Sequence, residues 1–199
     1  MSRSPFTYEG YQHFINLGVE GEGVWDDLQF AVQLANPVGL ASDPSVSTDD
    51  GTLLFSHTID NVIFVTAQIP HRWKEQSAIV PHIHWSKTTS DSGNVAWLCE
   101  YQAANVGSVF AGSWTELATV TSTVAGTPDT NTADKHLISS FGNLDMTGLN
   151  ISAFIKFRIT RVATAVEDTY GADAKVLGFD CHYRIDTNGS LGAFEKHGI

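Results

Sequence analysis

Residues 68–85 read QIPHRWKEQSAIVPHIHW, and this stretch decides the fold class. Pro70 ends one extended segment because its ring removes a backbone donor. The five residues after it, His71, Arg72, Trp73, Lys74 and Glu75, mix an aromatic with both charge signs, as a turn does. Beyond the turn, Ile83 and Trp85 alternate with His82 and His84, the two-residue period of a strand with distinct faces.

The same period recurs outward in both directions, in short runs separated by clusters of Gly, Asn, Asp, Ser and Thr. Strands are predicted at 28–34, 52–57, 61–69, 78–86, 95–103, 115–121, 136–141, 152–162 and 175–186. Long amphipathic helical periodicity is absent, so the chain reads as all-β, and eight or nine strands suit a two-sheet antiparallel sandwich. Alternation assigns faces: Ile155, Phe157 and Ile159 point into the core opposite Lys156, Arg158 and Thr160. Leu177, Phe179, Cys181, Tyr183 and Ile185 are assigned inward on the last strand, with Asp180, His182 and Arg184 on its polar face. Residues 1–24 are Gly-rich and weakly patterned and read as an extended N-terminal arm; 25–199 reads as a single sandwich domain. Polar loops are expected at 36–51, 126–134 and 163–174.

The chain has 199 residues, 42% of them hydrophobic, with 5 Trp, 5 Tyr and 11 Phe, enough apolar area for one sizeable core. Lys and Arg total 11 against 22 Asp and Glu, a net charge of -11. Nucleic-acid affinity rests largely on cationic side chains displacing counterions, so a phosphate backbone is not an expected partner. Lys156, Arg158 and Arg161 are the candidates for a local basic patch, read more simply as a strand face. Cys99 and Cys181 are the two cysteines, without CxxC spacing, and both fall on apolar sides of strands. They are expected buried and reduced. No apolar stretch reads as a signal peptide or a membrane span.

Two groups of residues and one absence carry chemical interest. If 78–86 and 95–103 form a hairpin, a register of 83 with 99 sets His82 opposite Glu100 and makes Trp85 and Trp97 neighbours. His82, His84 and Glu100 then resemble a divalent-metal ligand set, or that of a cupin, in which HxH lies on a sandwich strand. A cupin places a Glu about four residues later, whereas this chain continues KTTS. The favoured reading is a hydrogen-bonded, pH-sensitive contact without metal or other cofactor. His71, Arg72 and Trp73 form the second group, read as an interface anchor, a glycan-stacking turn or local packing. Thirdly, no Gly-x-Ser-x-Gly, P-loop or His-Glu-x-x-His occurs, so no catalytic residue is assigned.

The strings VWDDLQF, LLFSH, VIFVTAQIPHRWKEQS, PHIHW and VAWLCEYQAANVG, over roughly residues 24–106, resemble segments of β-rich virion proteins of tailed bacteriophages. The resemblance implies a non-enzymatic structural protein with a jelly-roll sandwich, homotrimeric, assembled in the host cytoplasm and located in the virion. It implies contacts with the major capsid protein or other virion proteins as a capsid decoration, or cement, protein. The alternatives are a tail fibre or spike component, a glycan-binding sandwich using Trp73 or Trp114, and a cupin-like metalloprotein.

Overall fold

The structure, a computed structural model, describes residues 24–32, 39–121, 131–194 and 196. Among them there is no α-helix. The strands are β1 (Val24–Phe30), β2 (Ser45–Val46), β3 (Leu53–Phe55), β4 (Val62–Gln68), β5 (Ile79–Lys87), β6 (Ala96–Ala104), β7 (Thr115–Thr121), β8 (Leu137–Ser140), β9 (Phe154–Arg161) and β10 (Ala174–Ile185). One sheet runs β2-β3-β10-β5-β8, the other β4-β9-β6-β7, and every pairing is antiparallel. β10 is the spine of the first sheet. β5 covers one of its edges, while β3 and β1 share the other, β3 at residues 174–176 and β1 at 179–185.

From β3 onward the chain changes sheet at every connection except β6 to β7. This is the winding of a jelly roll, in which two Greek keys close over one core. The fold is therefore an all-β antiparallel sandwich, as the alternation predicts. The expected arm lies outside the described residues except for Val24, which already belongs to β1. The 36–51 loop is interrupted by β2; its residues 36–38 lie outside the described residues.

The predicted β5–β6 hairpin does not form. β5 pairs with β10 and β8, and β6 with β7 and β9 in the opposite sheet. Both strands carry large apolar rows, and opposing sheets let those rows pack against each other instead of lying side by side. Phe55, Trp85 and Phe179 of the first sheet accordingly meet Trp97 and Phe157 of the second. The connection winds around the Lys87 ammonium, which is buried and donates to Gly93 O (2.7 Å), Asn131 Oδ1 (3.0 Å) and Asp91 O (3.2 Å). Gly93 has φ +121°, and a Cβ there would lie 2.5 Å from the Thr169 carbonyl oxygen, so only glycine fits this crossing.

The faces of β9 follow the alternation, with Ile155, Phe157 and Ile159 fully buried. On β10 they do so only from Phe179 onward. The register against β5 shifts between Val176 and Gly178, a bulge that puts Val176 in the core and Leu177 on the outer side. Arg161 is no surface cation. It is fully buried, and its five N–H donors are all used: two on Asp168, one each on the carbonyls of Phe55, Ala172 and Tyr170. Cys99 and Cys181 are free and buried. No helix among the described residues is long and apolar enough to cross a membrane.

Candidate functional site

The outer face of the first sheet gathers histidines from three successive strands of the sheet order. His82 and His84 project from β5, His182 and Asp180 from β10, and His136 stands just before β8. The period of two puts 82 with 84 and 180 with 182 on one face each, and the β5–β10 register then sets Asp180 directly opposite His82. Asp27 of β1 is the cross-strand partner of His182.

Asp180 is the centre of this group. Its oxygens lie 3.2 Å from His84 Nε2, 3.4 Å from His82 Nδ1 and 3.4 Å from His182 Nε2. Its side chain is only 6% exposed, and that of His82 10%. Burial pushes the Asp180 carboxyl up, but contacts with His82 and His84 and the field of His84 and His182 outweigh it, so the carboxyl sits well below the usual carboxylate range. His182 Nε2 also lies 3.2 Å from Asp27 Oδ1, and the His82 and His182 rings are 4.1 Å apart. His84 Nδ1 meets His136 Nε2 at 2.7 Å. Two proton arrangements suit this chain: His136 donates to a neutral His84 whose Nε2–H faces Asp180, or a charged His84 donates to His136 with its other N–H facing Asp180.

His82 Nδ1 and Asp180 Oδ1 face each other, are sealed from solvent, and make no hydrogen bond of acceptable geometry. An unsatisfied buried polar atom costs about 1–3 kcal/mol. Two open recesses flank the cluster. One of about 620 Å³ is lined by Phe30, His84, His136, Leu177 and Asp180, and one of about 610 Å³ by Trp25, Asp27, His82 and His182.

The sequence-predicted residues divide sharply. His82 and His84 share one face as expected. Glu100 does not join them: it lies on the second sheet, opposite Arg158, which it binds through both carboxylate oxygens. Trp73 is no stacking residue or interface anchor, because it is fully buried in the core and donates from Nε1 to Ser77 O. His71 bridges Ser190 and Ser152 through its two ring nitrogens. Arg72 pairs with Asp26 of β1, which also accepts from the Tyr183 hydroxyl of β10, so Arg72 is the turn residue that holds β1. Asp180 and His182 were legible as a polar face of the last strand. What would have joined them to the HIH strand is jelly-roll order, which puts these two strands side by side.

The second sheet has its own outer feature. Phe64 and Trp114 contact each other at 5.8 Å, the Arg158 guanidinium lies over Trp114 at 4.9 Å, and Lys156 lies over Phe110 at 3.9 Å. Phe64 remains 41% exposed and Phe154 39%.

No family model matches the chain, and no curated protein does. Among solved structures it is similar to part of tripeptidyl peptidase 2, with a TM-score of 0.40 and 8% identity over 79% of this chain and 10% of that one. It is also similar to part of dimeric latent PorU from Porphyromonas gingivalis, with a TM-score of 0.32 and 10% identity over 73% of this chain and 12% of that one. The chain spans about a tenth of each, so neither likeness speaks to what it does.

Proposed function

We propose that the protein is a non-enzymatic structural component of a bacteriophage virion, acting as a homotrimeric capsid decoration protein. The observation that supports this most is the strand order β3-β10-β5-β8 over β4-β9-β6-β7, since the jelly roll is an architecture of viral capsid domains. It agrees with the resemblance of residues 24–106 to virion proteins. The exposed Phe64, in contact with Trp114, and the exposed Phe154 further along β9 add apolar area to the second sheet that suits burial against a neighbouring protein.

Light scattering on the purified chain tests the assembly: the expected mass is three times 21.6 kDa, and a single species at 21.6 kDa counts against it. Mass spectrometry of purified virions tests the location. Jelly rolls also serve as lectins, and the Trp114–Arg158 stack favours a second reading, a glycan-binding face on the second sheet. Glycan-array binding that is lost in Trp114→Ala, with a monomeric protein, selects that reading.

A further inference from the structure

The outer face of the first sheet holds a cluster that neither lattice assembly nor glycan binding requires. One ligand atom each from His82, Asp180 and His182 lies within 4.8 Å of the others. The geometry points to a divalent first-row transition-metal site, held by the imidazoles of His82 and His182 and the carboxylate of Asp180, with water completing the coordination.

The separations favour a shared ion over direct hydrogen bonding. Charge-assisted N–H···O bonds run to about 2.7–2.9 Å, whereas His82 Nδ1 stands 3.4 Å from Asp180 Oδ1 and His182 Nε2 stands 3.4 Å from Asp180 Oδ2, so the two carboxylate oxygens each face one of these imidazoles. Two ligands bound at about 2.0–2.2 Å to one tetrahedral ion are separated by roughly 3.4 Å. The second observation is independent of the spacing. His82 Nδ1 and Asp180 Oδ1 are both sealed from solvent and both lack a hydrogen-bond partner, on side chains at least nine-tenths buried. A cation between them satisfies both atoms at once.

Imidazole with carboxylate is the donor set of zinc, iron(II), cobalt(II) and nickel(II) rather than calcium or magnesium, which prefer oxygen. Metal ligands need support behind them. His84 supplies it, its Nε2 3.2 Å from Asp180 Oδ2 and its Nδ1 held by His136. Asp27 adds negative charge at the rim beside His182. The carboxylate whose absence after HxH argues against a metal is therefore delivered by a different strand, β10. The ion would pin β5 to β10 across the middle of the sheet, with water in the one position the protein does not fill.

The test uses the purified full-length chain, stripped with chelator and titrated with zinc chloride and, separately, cobalt(II) chloride. Calorimetry should show saturation at one ion per chain, the melting temperature should rise with zinc, and cobalt(II) should develop the intense visible bands of four-coordinate nitrogen and oxygen ligation. His182→Ala, at a side chain 40% exposed and so tolerant of loss, should abolish stoichiometric binding while keeping the wild-type circular dichroism. Asp180→Asn should do the same. His84→Ala should weaken binding by about 10–100-fold without changing the cobalt spectrum, as befits a positioning residue. The proposal is overturned by a wild-type protein that takes up neither ion at micromolar concentration, or by uptake that persists unchanged in His182→Ala. If Asp180→Asn does not fold, the wild-type spectrum and His182→Ala still decide the matter.

Discussion

Trp85 and Trp97 meet edge to face with ring centroids 5.9 Å apart, one indole from each sheet. Both are fully buried, and Trp97 also packs edge-on against Phe55 at 5.4 Å. The pair is thus a contact between layers, and it joins the HIHW strand to the opposite sheet. Trp97→Ala should lower the unfolding free energy by about 3–5 kcal/mol through lost transfer energy and a cavity. A double-mutant cycle with Trp85→Ala should return a coupling of about 0.5–1.5 kcal/mol. Urea denaturation measures both, and unchanged stability in Trp97→Ala would show that the layers are not locked here.

Arg161 should be as sensitive as the aromatic core. Its guanidinium ties β9 to β3 and to the 163–173 loop through Asp168, Phe55, Ala172 and Tyr170. Asp168→Ala leaves a buried cation without its counter-charge and should cost about 3–5 kcal/mol. Arg161→Met, which removes the charge but keeps much of the volume, should still strand Asp168 and the freed carbonyls. Pairing it with Asp168→Leu should recover part of the loss. Thermal melts of the two single variants and the double variant give the comparison; equal stability of all of them would refute the buried network.

Both thiols should resist modification in the native protein. Cys99 and Cys181 are buried and unpaired, and burial, with Glu100 contributing, pushes the Cys99 thiol far up from its ordinary value. Little reactive thiolate is therefore present at neutral pH. Titration with an aromatic disulfide reagent should find no accessible thiol in the folded chain and both after denaturation. Rapid native labelling would contradict the packing of β6 and β10.

The Asp50 carboxyl is predicted to stay ionised to unusually low pH. The Thr52 hydroxyl at 2.7 Å and the Thr52 amide at 3.1 Å both donate to it, and Lys175 stands 3.6 Å away, so it lies well below the usual carboxylate range. Its contribution to the loop before β3 is present above the unfolded-state carboxylate pKa, about 3.9, and is lost as pH falls through the lowered native value. Thr52→Val removes the hydroxyl donor at similar volume and should move the Asp50 titration upward. Carbon-detected NMR titration of the carboxyl follows this directly, and an unmoved titration would exclude the hydroxyl as the cause.

Much of the fold was present in local pattern. Among the described residues the two-residue alternation located eight of the ten strands and caught a ninth, β1, only at its last three residues, because half-buried strands must write their two faces into the sequence. β2, with two residues, is too short to show any period. The phase error at Leu177 came from a bulge, which inserts one residue without marking the pattern. The site was half legible. The HIH of β5 and the polar face of β10 were each visible, but Glu100 was joined to the wrong partners by a hairpin that does not exist, and of the three readings of Trp73 only local packing agrees with its burial.

The sequence by itself determined the all-β class, the strand positions, the inward rows of β5, β6 and β9, the burial of both cysteines and the acidic surface. These depend on each residue and its near neighbours. Only the tertiary structure decided that β5 and β6 belong to opposite sheets, that Glu100 answers Arg158, and that Asp180 lies against His82, His84 and His182. Pairing between strands some 95 residues apart is set by how apolar faces close over one core, and no local period records which strand becomes the neighbour of which.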